Sequence, residues 1–329
     1  MSRVRLFVTL VAALSFAAAA QSQPLTLRED FSSNPATRGW QAFGATNLFS
    51  WNSTNQNLEV TWDSSQTNSY FYHPLGRVLR SDDDFTLSFD LNLTDAVSLD
   101  SPAELGIGLL NLADATSPKF LRGTGSDSPN LIEFDYFPAP DDVSWVWGSS
   151  ITAVLVDRLG VGTSNWSTNG FIGLELPTKQ VLHLVLAYTG ADQTLRTSIW
   201  ENGVLLTTVP NAGPPPGFLG FEVDTLAIES YSDFNGYGSI LAHGTVGNII
   251  FTAAPSPVGM LAGQFDPAGN WQTRLMSATN WLYTLERTSD FIHWTPASPA
   301  TAGTGDSLVL RDPIPPPASA FYRVNAARP

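Results

Sequence analysis

Short segments of alternating apolar and polar residues recur along the chain from Leu25 onward. Between Phe85 and Leu93 every second residue is Phe or Leu, and the residues between them are polar or acidic. This period of two is typical of a strand with one face on a core and the other in water. The dipeptide Asn202-Gly203, between two such segments, predicts a tight hairpin turn because both positions accept positive φ angles. Without sustained helical periodicity, the pattern predicts an all-β fold, an antiparallel β-sandwich or jelly roll.

The first twenty residues have a different pattern. Arg3 and Arg5 precede an apolar stretch that runs from Leu6 to Ala20 and ends in the small-residue signal Ala18-x-Ala20. A basic start, a short apolar segment and a small-residue end predict a secretory signal peptide over residues 1–20. The alternative, a membrane anchor, needs about 20 apolar residues and a basic cluster after them, and this stretch is shorter. We therefore expect a secreted, cell-surface or periplasmic protein with no membrane span.

Two prolines in the small, polar stretch Ala253-Ala-Pro-Ser-Pro257 predict a linker, because proline stops a strand and stiffens the chain. The sequence thus divides into a large β-domain over residues 21–252 and a small β-module over residues 258–329. A module of this size needs a compact core. Its aromatic residues predict one, formed by Trp271, Trp281, Trp294, Phe321 and Tyr322.

Composition narrows the class of protein. The chain is 43% hydrophobic, which excludes a disordered acidic protein, and its 30 acidic and 16 basic residues give a net charge of −14. Nucleic acid is excluded as a partner because phosphate binding needs clustered Lys and Arg. The chain has no Cys, and a secreted eukaryotic protein of 329 residues would usually carry disulfides. The composition therefore favours a bacterial exported protein.

Several segments resemble the concanavalin A-like lectin/glucanase superfamily, and within it a group of secreted proteins from environmental bacteria. They are Glu29-Asp-Phe-Ser-Ser33 with Gly39-Trp40, Asn130-Leu-Ile-Glu-Phe-Asp-Tyr-Phe137, and the segment from Gly238 to Ile250. The resemblance implies two packed, curved antiparallel sheets, whose concave face commonly binds glycans. The tail, with Tyr283–Asp290, Trp294 and Phe321–Val324, is similar to a C-terminal β-module of exported bacterial proteins.

Glu133 and Asp135 are the candidate catalytic carboxylates. They lie two residues apart in a predicted strand, so both project from one face, as paired acids of a glycosidase do. Laminarinase-type relatives carry Glu-x-Asp-x-(x)-Glu on such a strand, but here the last Glu falls on Phe137 or Pro138. Asp141 or Asp142 replaces it only if the chain folds back. The alternative is that Glu133 and Asp135 bind a sugar hydroxyl, a cation or an Arg.

Aromatic residues are the other candidates for sugar binding. Trp145 and Trp147 lie two apart, with Tyr136 nearby in sequence, and flat rings of this kind stack on sugar rings. The alternative is that this pair fills the core. Trp166 has polar neighbours on both sides and is expected to be exposed.

The histidines are interpreted as structural. Polysaccharide lyases on this fold use Tyr or His with Arg and Gln on adjacent strands, and the four His here are scattered. His183 lies among Val and Leu, so we expect a strand residue with one hydrogen bond. His243 has small neighbours that leave its ring accessible, and a structural role is still favoured.

No cofactor is required by any motif, but structural calcium is considered because the superfamily often uses it to fix loops. The run Asp82-Asp83-Asp84 is interpreted as a solvated turn. Asp30 is the better metal candidate, although the position that often carries an Asp in relatives is Gly247 here.

The sequence therefore predicts an exported, non-catalytic, lectin-like protein that binds an extracellular glycan. The first alternative is a glycoside hydrolase or polysaccharide lyase using Glu133. The second is a structural or adhesive surface protein.

Overall fold

A computed structural model of the chain describes residues 24–98, 104–122, 129–138, 148–162, 171–233, 240–315 and 319–328. The chain forms two compact units, Pro24–Pro255 and a second unit that contains Ser256–Pro329. Among the described residues no helix is both long enough and apolar enough to cross a membrane. The predicted linker lies at this division: one strand ends at Ala253 and the next begins at Val258.

The first unit contains, in its described part, fifteen strands, one short α-helix and two 3-10 helices at Pro35–Arg38 and Thr46–Leu48. The strands and the helix are β1 (Leu25–Glu29), β2 (Gln41–Phe43), β3 (Phe49–Asn52), β4 (Asn57–Asp63), β5 (Ser69–Arg80), β6 (Phe85–Ser98), β7 (Leu105–Leu110), α1 (Leu112–Ala115), β8 (Leu131–Phe137), β9 (Ser150–Val156), β10 (Phe171–Gly173), β11 (Leu182–Thr189), β12 (Thr194–Glu201), β13 (Val204–Ala212), β14 (Glu222–Ser230) and β15 (Ile240–Ala253).

These strands form two antiparallel sheets. The eight-stranded sheet has the order β13-β12-β11-β6-β15-β4-β3, and β1 also pairs with β15. The seven-stranded sheet has the order β10-β9-β8-β7-β14-β5-β2. Both sheets contribute side chains to one large apolar core. The expected antiparallel β-sandwich, with the two packed sheets implied by the resemblance to the concanavalin A-like superfamily, is therefore confirmed.

Strand β6 shows how the sequence pattern produces this core. Its alternate residues from Phe85 to Leu93 are at most 4% exposed, and the polar residues between them lie on the outer face. The predicted hairpin is also present, since β12 ends at Glu201 and β13 begins at Val204. Asn202 and Gly203 have φ angles of 50° and 77°, as a tight primed turn requires.

The second unit is also built from antiparallel strands. They are β16 (Val258–Phe265), β17 (Trp271–Ser277), β18 (Leu282–Thr288), β19 (Thr295–Pro296), β20 (Thr301–Ala302), β21 (Ser307–Asp312) and β22 (Phe321–Ala327). One sheet has the order β16-β17-β21, and in the other β18 pairs with β19, β20 and β22.

The aromatic core predicted for this unit is only partly correct. Its buried residues are Leu275, Tyr283, Leu285 and Leu310, with Trp271, Trp281 and Tyr322 packed against them. Phe321 is 45% exposed and contacts Phe291, and Arg323 lies 4.2 Å above the ring of Trp294. Phe321 and Tyr322 are consecutive in β22, so they point to opposite faces and only one of them reaches the core.

Candidate functional site

The two candidate carboxylates, Glu133 and Asp135, project from the outer face of the seven-stranded sheet. In β8, Ile132, Phe134 and Tyr136 join the main core, so the residues between them point the other way. Tyr136 is 2% exposed and faces the core, where it is not available to a sugar.

Glycines in the neighbouring strand β7 let a third carboxyl approach this pair. Gly106 lies opposite Asp135 on one side and opposite Glu229 of β14 on the other. A Cβ on Gly106 would lie 3.2 Å from Glu133 Oε2 and 3.3 Å from Glu229 Oε2. The carboxyl groups of β8 and β14 therefore converge above β7 because no side chain separates them.

Arg122 is the cation of this cluster. Its guanidinium contacts the carboxyl oxygens of Glu104 at 3.2 Å, Glu133 at 3.4 Å and Asp135 at 2.5 Å. It also lies 5.7 Å from the centre of the Tyr231 ring, and the Tyr231 hydroxyl donates to Glu133 Oε1 at 2.8 Å. We call Glu104, Glu133, Asp135 and Glu229, together with Arg122, the carboxyl cluster.

Burial raises the pKa of two carboxyl groups of the carboxyl cluster, those of Asp135 and Glu229. Glu133, Asp135 and Glu229 are 0% exposed, and one guanidinium cannot compensate four carboxylates. Removal from water, with the nearby carboxylates, raises the pKa of Asp135 and of Glu229 well above the usual range. Neither carboxyl oxygen of Glu229 has a hydrogen-bond partner among the described residues. In an apolar environment, a carboxyl group without hydrogen-bond partners is more stable in its neutral, protonated form.

A covering segment, residues 111–122 including α1, closes this face. The Tyr70 hydroxyl donates to Ala115 O at 3.0 Å, and Asn130 Nδ2 donates to Asp114 Oδ2 at 2.7 Å. The Phe120 ring stacks on Tyr231, with centroids 6.0 Å apart. Together with the Arg122 contacts, these interactions fix the segment over part of the sheet, and Glu133 and Asp135 are buried.

The remaining predicted site residues are distributed as follows. Trp145, Trp147 and Trp166 lie outside the described residues, so their role in sugar binding stays a prediction.

Asp30 is 64% exposed at its side chain, and its Oδ1 accepts from Ser32 and from Arg38. The role of Asp30 as a calcium ligand stays a prediction. In the described part of the chain no group of three or more His, Asp or Glu side chains is arranged to hold a metal.

An open site lies on the other sheet. Strands β6, β11 and β12 are adjacent, and their register places Asp90, His183 and Trp200 in one row across the outer face of the eight-stranded sheet. This row lies in a depression of 690 Å³ lined by Asp90, Val181, His183, Val185, Ser198, Trp200, Asn202 and Gly203. We call it the Trp200 depression.

Hydrogen bonds hold the polar and aromatic groups of the Trp200 depression in place. Trp200 Nε1 donates to Ser198 Oγ at 3.0 Å, which fixes the indole along its own strand. His183 Nδ1 lies 2.8 Å from Asp90 Oδ1, and Asn248 Nδ2 donates to Asp90 Oδ2 at 2.7 Å. His183 thus makes the single hydrogen bond expected of it, and its side chain is 45% exposed. His243 makes a similar pair with Asp95 at 2.8 Å.

Sequence reasoning missed Trp200, although a signal was present. Residues Leu195, Thr197 and Ile199 of β12 point inward and are at most 2% exposed. Trp200 belongs to the alternate, outward set with Arg196 and Ser198. An indole on the polar side of an amphipathic strand breaks the pattern that the rest of the strand follows, and such a break marks a candidate binding residue.

The residues of the Trp200 depression suit a ligand that has an apolar face and several hydroxyl groups. The indole and the side chains of Val181 and Val185 offer apolar contact. Asp90, Ser198 and Asn202 offer hydrogen-bond acceptors and donors around it. Binding sites of this kind combine an apolar surface with a few fixed polar groups.

A comparison with protein-family models gives no match, and neither does a comparison with curated protein sequences. Solved structures similar to the chain include peanut lectin with a 9-residue peptide, at 12% identity over 71% of this chain and 98% of that one, with a TM-score of 0.47. Basic winged bean lectin with Tn-antigen is 12% identical over 71% of this chain and 100% of that one, with a TM-score of 0.47. Alginate lyase Aly36B is 10% identical over 69% of this chain and 96% of that one, with a TM-score of 0.37. At these identities the likeness concerns the fold alone.

Proposed function

We propose that the first unit is a carbohydrate-binding domain of an exported protein and that it holds an extracellular glycan, without cleaving it, in the Trp200 depression. The observation that carries the proposal is the fixed indole of Trp200 beside the Asp90–His183 pair on an exposed sheet face. The basic and apolar pattern of residues 1–20 supports export.

A sugar ring has C–H groups on its faces and hydroxyls at its edge. The C–H groups stack on an indole, and the hydroxyls bond to carboxylates and amides at the rim of the ring. Because Trp200 is held by Ser198 before any ligand arrives, little ordering of the indole is needed on binding. These contacts support the proposal that the Trp200 depression binds a sugar ring.

Binding measured on a glycan array and by titration calorimetry tests the proposal. Trp200→Ala should weaken binding by roughly 1–3 kcal/mol, the scale of a lost aromatic contact. The matched control is Leu241→Ala, which removes a side chain that is 44% exposed on the same sheet and does not line the depression. Equal binding by the wild type and Trp200→Ala would contradict the proposal.

A glycoside hydrolase is the second candidate, because the carboxyl group of Glu229 lies near that of Glu133. Glu229 Oε2 and Glu133 Oε2 approach the same point above Gly106, so these two oxygens are no more than about 6.5 Å apart. A retaining glycosidase holds its two carboxyl groups about 5–5.5 Å apart. Burial under the covering segment opposes this candidate. Release of reducing sugar that disappears in both Glu133→Gln and Glu229→Gln would favour the hydrolase over the binding domain.

A broad panel with neither binding nor release would favour the remaining alternative, a structural or adhesive surface protein. In that case a chain without residues 258–329 should lose attachment to the cell surface while the first unit stays folded. Localisation of this shortened protein is the measurement.

A further inference from the structure

The charges around the Trp200 depression restrict the class of glycan that it accepts. Asp90 is the one carboxylate among the lining residues, and none of them is Lys or Arg. Arg196 lies further along the outward face of β12, where its guanidinium is paired with Asp192 and contacts Thr189. Among the lining residues that the structure describes, no side chain carries a permanent positive charge that would neutralise an acidic ligand.

The Asp90–His183 pair offers acceptors to the ligand. Each Asp90 oxygen receives one hydrogen bond, from His183 or from Asn248, and keeps a lone pair for another. When His183 donates from Nδ1 to Asp90, its Nε2 is an acceptor in the neutral ring. Nε2 has no hydrogen-bond partner among the described residues, so it is available to a donor.

Sugar hydroxyls satisfy such acceptors, whereas an ionised uronate or sulfate has only acceptors on its acidic group. A uronate near Asp90 would bring two like charges together at a partly exposed site, and that costs affinity. The net charge of −14 adds a general repulsion of acidic polymers at low ionic strength.

We infer that the Trp200 depression recognises a glycan that carries hydroxyl donors and no acidic groups, with Asp90 as the residue that excludes uronates and sulfates. This inference rests on the proposed function and goes further by naming the class of ligand. Trp200 supplies stacking to any pyranose ring, so Asp90 and not Trp200 provides the selection.

Titration calorimetry on the full chain with hexasaccharides tests the inference. The neutral probes are the hexamers of β-1,4-glucose, β-1,3-glucose and β-1,4-mannose, and the acidic probes are those of mannuronate and galacturonate. In 150 mM salt the best neutral hexamer should bind at least about tenfold more tightly than either acidic hexamer. Lower salt should weaken acidic binding further and leave neutral binding unchanged.

Asp90→Asn separates the role of charge from that of shape. The amide keeps the size of the side chain but removes its charge, so neutral binding should weaken about threefold to tenfold while the gap between neutral and acidic probes narrows. Leu241→Ala is the matched control and should leave both values unchanged. Thermal unfolding of each variant verifies that the sheet is intact.

The outcomes distinguish the inference from the proposed function. Acidic binding equal to or tighter than neutral binding, and lost in Trp200→Ala, would overturn the inference and keep the glycan-binding function. A gap that Asp90→Asn does not narrow would also overturn it. Binding that does not depend on Trp200, or no binding of any hexamer, would instead remove the proposed function.

Discussion

Replacing Glu229 by Gln should change the pH dependence of stability more than it changes the fold. Glu229 is 0% exposed, and neither of its carboxyl oxygens has a hydrogen-bond partner among the described residues. Burial, with the charges of Glu133 and Asp135, raises its pKa above the ordinary 4.5. The folded state therefore keeps a proton that the unfolded state releases as the pH rises.

The sign and size of the effect follow from this difference. Stability falls with pH wherever the folded state binds more protons, so the loss begins near pH 4.5 and stops at the raised pKa of Glu229. Each pH unit in this window costs about 1.4 kcal/mol for one group. The carboxylate oxygens of Glu133 and Glu229 are no more than about 6.5 Å apart, and two charges at that distance repel by about 2.5 kcal/mol at an effective dielectric constant near 20. Glu229→Gln should remove a pH-dependent cost of at least this size.

Urea unfolding at pH 5, 6, 7 and 8, followed by tryptophan fluorescence, measures the effect. At pH 5 the amide brings unpaired polar atoms of its own and should lower stability by about 1–3 kcal/mol. Between pH 5 and pH 8 the unfolding free energy of Glu229→Gln should then rise by about 2 kcal/mol or more relative to that of the wild type. Carboxyls with lowered pKa, such as Asp290, ionise below this range and do not contribute to the slope.

Glu222→Gln is the matched control because Glu222 begins the same strand, is 47% exposed and pairs with Arg80 at the surface. It should alter stability by less than about 1 kcal/mol at every pH. The reasoning is refuted if Glu229→Gln and Glu222→Gln show the same dependence on pH. In that case Glu229 ionises in the folded state without cost.

Three further predictions concern the first unit and the boundary after it. Arg122→Met should lower the unfolding free energy by about 3–5 kcal/mol and speed amide exchange in residues 111–122, because it leaves buried carboxyls unpaired; unchanged exchange would contradict the anchoring role. Gly108→Ala should destabilise by about 3 kcal/mol, since its Cβ would lie 2.1 Å from Ile132 O, whereas Gly247→Ala, whose Cβ meets nothing within 4 Å, should be nearly neutral in urea unfolding. Limited proteolysis should cut at residues 254–257 before any strand, and first cuts inside a strand would disprove this exposed connector.

The sequence pattern predicts the sandwich well because most strands have one buried and one exposed face. In β6 and β11 the period of two records this difference directly, and their inward residues are the ones found in the core. The second unit is harder because its strands are short and its faces are both partly exposed. Phe321 shows the limit: hydrophobicity alone does not say which face of β22 the core occupies.

The candidate site was less predictable because its closure depends on contacts distant in sequence. Glu133 and Asp135 share a face, as their spacing indicates, but every residue from Leu131 to Tyr136 is buried. When a strand is buried on both faces, the alternation of apolar and polar residues does not show which face is exposed. The cover comes from residues 111–122, and the third carboxyl comes from Glu229 through the pairing of β7 with β14. Register across three strands, and not local sequence, creates this cluster.

The outer face of one sheet carries buried carboxyl groups, and the outer face of the other carries an aromatic ring. This difference helps to distinguish structural residues from candidate binding residues. Burying the carboxyl groups of Glu133 and Asp135 costs desolvation free energy, and their ion pairs with Arg122 attach the covering segment to the sheet. The indole of Trp200 is only partly buried on an open face, so an external ligand would cover more of its apolar surface. Trp200 is therefore a stronger candidate for contact with a glycan than Glu133, even though the sequence motif alone favours Glu133.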